Sequence, residues 1–152
     1  EIIDSMGDIS RYSEVIFCGY GEPTIKLNEL IEVAKAVKSQ GGKTRINTNG
    51  QANLYHGEDI APRLEGLIDT VSISLNAPTA REYQQVCQSE YGEDGFYGML
   101  EFAKACKEYV PNVVFTVVDV LPPEKIAESR RIAKELGVDF RVRTFVEKQD
   151  LA

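Results

Sequence analysis

Apolar and polar positions alternate most cleanly over residues 71–76, Val-Ser-Ile-Ser-Leu-Asn. In an extended chain Val71, Ile73 and Leu75 point to one side, and Ser72, Ser74 and Asn76 to the other. Ile46 opposes Arg45 and Asn47 in the same way, and Val142 opposes Arg141 and Arg143. Two further runs, 15–18 and 113–118, are continuously apolar or β-branched and predict buried strands.

Between these runs the period lengthens. Leu27, Leu30, Ile31, Ala34 and Val37 recur at helical spacing, and Gly41-Gly42 closes that helix. Helices are also predicted over 58–67, begun or interrupted at Pro62, over 79–88, over 95–109, and from Pro122-Pro123 to Gly137. The order is strand then helix, repeated, with connections of helix length. That predicts a right-handed parallel βα array. A flat, doubly wound sheet needs strands that are apolar on both faces. Three strands with one polar face favour a different α/β architecture: a partial βα barrel of about five parallel strands with outer helices.

The domain is expected to span 1–145, with a polar tail over 146–152. Residues 1–12 read as a helix end and a turn. With no initiator Met, the chain is expected to be a fragment.

Composition narrows the class. The chain has 152 residues, 43% hydrophobic and 27% charged, as in one soluble globular domain. A net charge of −7 speaks against a basic, nucleic-acid-binding surface. No apolar run reaches membrane-spanning length, and the first residues do not resemble a signal peptide. Cys18, Cys87 and Cys106 are odd in number and widely spaced, so neither a disulfide framework nor a CxxC metal site is expected. A cytoplasmic protein is the expectation, with Cys18, Cys87 and Cys106 as small buried hydrophobes.

The candidate chemistry lies at the carboxyl ends of the strands. Glu22, then Asn47, Thr48 and Asn49, then Ser74 and Asn76, then Asp119, then Arg143 stand there in turn. In barrels this rim is the active-site face. A carboxylate suits an ammonium, an arginine suits a carboxylate, and amides and hydroxyls suit a ribose. Plain structural readings stand beside these: a helix-start carboxylate at Glu22, an Asx-turn at Asn49, solvated arginines at 141 and 143, and a surface His56.

Three motifs in order, Gly19-Tyr20-Gly21-Glu22-Pro23, then Ile46-Asn47-Thr48-Asn49-Gly50, then Ser72-Ile73-Ser74-Leu75-Asn76-Ala77, resemble the radical S-adenosylmethionine (radical SAM) superfamily. Phe17 to Thr24, Asn47 to Leu54 and Phe140 to Arg143 are similar to the small radical SAM proteins associated with TatD-type hydrolases. The resemblance implies that Gly19, Gly21 and Glu22 hold the methionyl ammonium of SAM. It places Ser74 and Asn76 at the ribose or methionyl carboxylate, and Asn47 and Asn49 beside the cofactor or substrate. Val117, Val118 and Val142 lie on strands that flank the adenine in such proteins.

The family's Cys-x3-Cys-x2-Cys loop, which binds a [4Fe–4S] cluster, has no counterpart among the three cysteines. The resemblance implies that the cluster loop and a first strand belong to a segment preceding residue 1. This chain alone is then expected not to cleave SAM, and the unpaired sheet edge so left is expected to favour self-association. The substrate is not named by these motifs. Two alternatives remain: a non-catalytic α/β nucleotide- or partner-binding domain, and a glycyl-radical activating enzyme fragment.

Overall fold

The computed structural model describes residues 14–18 and 22–144. The expectations placed on residues 1–12, on Gly19 and Gly21, and on the tail from 146 lie outside the described residues.

The strands are β1 (Val15–Phe17), β2 (Thr44–Thr48), β3 (Thr70–Ser74), β4 (Asn112–Val118) and β5 (Asp139–Arg143). The helices are α1 (Leu27–Ser39), α2 (Ala52–His56), α3 (Ala80–Cys87), α4 (Asp94–Cys106) and α5 (Pro123–Leu136), with 3₁₀ turns at Pro23–Lys26 and Ala61–Leu64. All neighbouring strands are parallel and follow sequence order, β1-β2-β3-β4-β5. A doubly wound sheet reverses its order at a switch point; this one does not. With every right-handed crossover running the same way, the helices gather on one face. The result is the expected α/β partial barrel.

The core lies between that face and the helices. Val71, Ile73, Leu75 and Phe115 are fully buried, against Met99, Phe102, Ala103 and Cys106 of α4 and against Tyr83 of α3. Full burial of one such large apolar side chain contributes about 1.5–3 kcal/mol. Helix ends are locally encoded. Thr79 Oγ1 accepts from Glu82 N at 3.2 Å and donates to Glu82 Oε1 at 2.9 Å, capping α3. Pro123 opens α5, and Gly137, at φ 75°, ends it in the left-handed conformation.

At the amino ends of β2 and β3, Asp69 joins three elements. Its carboxylate accepts Thr44 N at 2.8 Å and holds Lys38 Nζ of α1 at 2.9 Å. Burial pushes this carboxyl up, but the hydrogen bonds from Lys38 and Thr44 outweigh it and leave it below the ordinary aspartate range.

Two expectations are corrected. The helix predicted over 58–67 is replaced by α2, ending at Gly57 with φ 70°, and by the Ala61–Leu64 turn. Side chains compete for the backbone there: Asn53 Oδ1 accepts Ile60 N at 2.8 Å and Asp59 Oδ1 accepts Ala61 N at 3.0 Å. Cys18, expected to be buried, is exposed, because its position continues the open face of β1. Cys106 is buried as expected, whereas Cys87, at the end of α3, is only half-buried.

Candidate functional site

The face turned away from the helices is polar and lies in register. One row runs Asn47, Ser72, Val114, Asp139 across β2 to β5. The next row toward the carboxyl ends is Ser74, Thr116, Arg141, and beyond it Val118 pairs with Arg143. Adjacent strands stand about 4.8 Å apart and successive rows about 6.6 Å apart. Among the described residues none of Asn47, Ser72, Ser74, Thr116, Arg141 and Arg143 makes a side-chain hydrogen bond or ion pair. The face is therefore a set of donors and acceptors with unused capacity.

The turn after β1 is built the opposite way. Glu22 caps the 3₁₀ turn, its Oε2 accepting Thr24 Oγ1 at 2.6 Å and Thr24 N at 3.2 Å. The same oxygen accepts Thr48 Oγ1 at 2.6 Å, and Oε1 accepts Asn49 N at 2.8 Å. One carboxylate thus ties the carboxyl end of β1 to that of β2. Its four intramolecular donors leave little lone-pair capacity. The helix-start reading of Glu22 describes this geometry, extended by a second strand.

The turn after β2 is locked in turn. Asn49 Oδ1 accepts Gln51 N at 2.9 Å, an Asx-turn, and Gly50 takes φ 79°. Buried Gln51 donates through Nε2 to Tyr83 Oη at 2.8 Å, and its Oε1 accepts Ser89 Oγ at 2.9 Å. Burial pushes the Tyr83 hydroxyl up to about 12, the Gln51 bond opposing and Cys87 and Glu22 adding. On the far side of Cys87, Asn76 Nδ2 donates to Sγ at 3.2 Å while its backbone holds φ 68°. These contacts link the rim turns after β2 and β3 through α3.

Each sequence-predicted residue among the described residues has a definite place. Asn47, Ser74, Val118 and Arg143 lie on the open face; Glu22, Asn49 and Asn76 lie in the turns at its carboxyl edge. Val142 pairs with buried Val117 on the helix-covered side, so its side chain stands away from that group. Arg141 and Arg143 are solvated and unpaired, and Asp139 pairs with neither. His56 Nε2 lies 2.8 Å from the Thr24 carbonyl and so joins α2 to the 3₁₀ turn. Sequence reasoning passed over Gln51 and Thr116. Alternation along 113–118 could have placed Thr116 on the open face, whereas nothing local marks Gln51.

Among the described residues no group of three His, Cys, Asp or Glu side chains gathers to hold a metal. Cys18 is exposed just after β1, Cys87 half-buried in α3 and Cys106 buried in α4. Burial pushes the Cys106 thiol up to about 12, away from thiolate character. The cysteines present do not fit an iron–sulfur cluster.

Comparison with known proteins follows the same direction. The radical SAM superfamily profile matches residues 1–136. A Methanocaldococcus jannaschii protein, whose proposed role is that of a glycyl-radical enzyme activating enzyme, is 27% identical over 144 residues, 90% of this chain. The chain spans 57% of that relative's length. Streptococcus suis SuiB, in a crystal structure bound to S-adenosylmethionine, superposes with a TM-score of 0.63 at 20% identity, over 91% of this chain and 30% of SuiB. The N-terminal domain of a Bacteroides vulgatus protein proposed to be an aldolase gives 0.50 at 15% identity, over 87% of this chain and 38% of that one. The structural likenesses show the fold.

Proposed function

Because this chain belongs to the radical SAM superfamily, we propose that it is the SAM-binding part of a radical SAM enzyme. The observation that carries this is the set of polar groups, unpaired among the described residues, on the open face toward the carboxyl ends of parallel strands: Asn47, Ser74 and Arg143. Such a crevice is where parallel α/β sheets hold ligands. In this reading Ser74 and Asn76 hold the ribose or the methionyl carboxylate, Arg143 offers a guanidinium to that carboxylate, and Val118 covers the adenine. The backbone of Gly19 and Gly21 takes the methionyl ammonium. Glu22 acts with them by holding their turn against β2, a positioning task for which its four hydrogen bonds suit it.

Bound SAM would supply a 5′-deoxyadenosyl group as the source of a hydrogen-abstracting radical; the chain's own residues bind it, orient it and exclude water. The cysteines of this chain do not fit the cluster, so its ligands would come from polypeptide outside these 152 residues. We accordingly expect the chain alone to bind SAM without cleaving it. A TatD-type partner remains an expectation of the motif resemblance. The outer strands β1 and β5 each pair on one side only among the described residues, which supports self-association.

The test is calorimetric titration of SAM into the chain and into Ser74→Ala and Asn47→Ala. Binding weakened about tenfold in each variant, with unaltered folding, is the expected result. Equal affinity in all three proteins would remove the site. A second reading, a glycyl-radical activating role, is favoured by the 27% identity to the M. jannaschii protein.

A further inference from the structure

The amino-terminal half of the open face holds a cavity of about 470 Å³, lined by Arg45, Thr70, Asn112, Val114, Asp139, Phe140 and Arg141. It lies below the rim residues assigned to SAM and shares none of them. Three side chains of this face are more than nine-tenths buried without an intramolecular partner: Thr116 at 3% exposure, Ser72 at 7% and Thr70 at 9%. Their hydroxyls are still reachable, because among the described residues only Ser129 Oγ is a fully buried polar side-chain atom with no partner. Of the three only Thr70 lines the cavity; Ser72 shares a row with Asp139 and Thr116 with Arg141, so their hydroxyls adjoin it on the same face.

The charges at the cavity are the telling part. Arg45 is already engaged, its Nε 3.4 Å from Glu14. Asp139 and Arg141 are not: neither forms an ion pair or a side-chain hydrogen bond, even with the other. They sit two residues apart on one face of β5, about 6.6 Å along the strand. One unpaired carboxylate and one unpaired guanidinium are thus presented side by side, with the Thr116 hydroxyl in register beside Arg141. A simple anion would meet repulsion from Asp139, and a simple cation from Arg141. Water satisfies each of these exposed charges, and a ligand that carries both charges matches the pair.

We propose that this cavity binds a small zwitterion of the amino-acid class, its carboxylate on Arg141 and Thr116 and its ammonium on Asp139. The inference rests on the radical SAM reading only in making that zwitterion the substrate lying beside the cofactor; the binding site itself does not depend on it. A small amino acid here would also tell against a glycyl residue of a partner protein as the substrate.

The experiment uses the purified chain and thermal melting followed by calorimetry, with the common L-amino acids, inorganic phosphate and SAM as separate probes. At least one amino acid should raise the melting temperature, and Arg141→Gln and Asp139→Asn should each weaken its binding about tenfold or more. Both residues are exposed and unpaired, so the melting temperature without ligand should be unchanged. SAM affinity should be the same in wild type and both variants. Failure of every amino acid to bind overturns the proposal. So does phosphate binding that Asp139→Asn leaves intact, which would mark a plain anion site. Loss of SAM binding in both variants would give the cavity to the cofactor's own methionyl group. If SAM alone fails to bind, the cofactor reading falls and this one stands.

Discussion

Thr48 donates its hydroxyl hydrogen to Glu22 at 2.6 Å, joining residues 26 apart at the carboxyl ends of neighbouring strands. Thr48 is buried, and the same carboxylate holds Thr24 and the Asn49 amide. The acid of the glycine–glutamate turn is therefore a clamp on the rim before any ligand arrives.

That clamp should be measurable without ligand. Glu22→Ala is expected to cost about 1.5–3 kcal/mol, since it strands the buried Thr48 hydroxyl and the Asn49 amide. Urea unfolding monitored by circular dichroism measures it; a midpoint identical to wild type would show that the four bonds contribute nothing net.

Gly50 is the tightest point of the same rim. At φ 79°, an added Cβ would lie 2.7 Å from Met99 Cγ and 3.0 Å from Ile73 Cγ2. Gly50→Ala combines left-handed backbone strain with overpacking and is expected to destabilise by about 1–3 kcal/mol. Denaturant titration should show a lower midpoint at an unchanged slope.

Asp69 sets an acid limit. Despite burial, its carboxyl is held below the ordinary aspartate range by Lys38 and Thr44, so its contribution is present above that range and is lost as pH falls through the lower folded-state value. Between neutral pH and about 5 this one group should leave stability flat. Comparing wild type with Asp69→Asn below pH 4 should show a smaller further loss in the variant; parallel curves would remove the assignment.

The cysteines should separate by reactivity. Cys18 is exposed, whereas Cys106 is fully buried with its thiol pushed up to about 12. Thiol labelling of the folded chain at neutral pH should modify Cys18 and spare Cys106 until denaturant is added. Mass spectrometry of the digested product identifies the sites, and early labelling of Cys106 would contradict its burial.

Tyr83 to Gln51 is the buried link between the rim and α3. Tyr83→Phe keeps the ring against Phe96 but leaves a buried amide N–H short of one partner. A loss of about 1–2 kcal/mol is expected by urea unfolding.

Much of this was legible locally. Alternation in 71–76 and 140–143 identified the polar face and hence the barrel-like rather than doubly wound architecture, because a strand's side chains must alternate wherever it lies. Strand ends and helix caps were readable because Gly, Pro and Thr act over a few residues. The helix expected over 58–67 fails for the complementary reason. There Asn53 and Asp59 take backbone amides that a regular helix would have used, a competition that periodicity does not display.

The candidate site divides along the same line. The sequence by itself determined the kind of residue at each strand end and, through the ordered motifs, the family. Only the tertiary structure decided which of those side chains are spent and which remain available. Glu22 is consumed by Thr24 nearby and by Thr48 and the Asn49 amide far along the chain, and the Asn49 side chain by its own Asx-turn, while Asn47, Ser74 and Arg143 keep their capacity unspent among the described residues. The same holds for Asp139 and Arg141, which two-residue spacing alone would pair. Hydrogen-bond capacity is exhausted by neighbours in space, and parallel strands bring together residues that lie 25 or more positions apart.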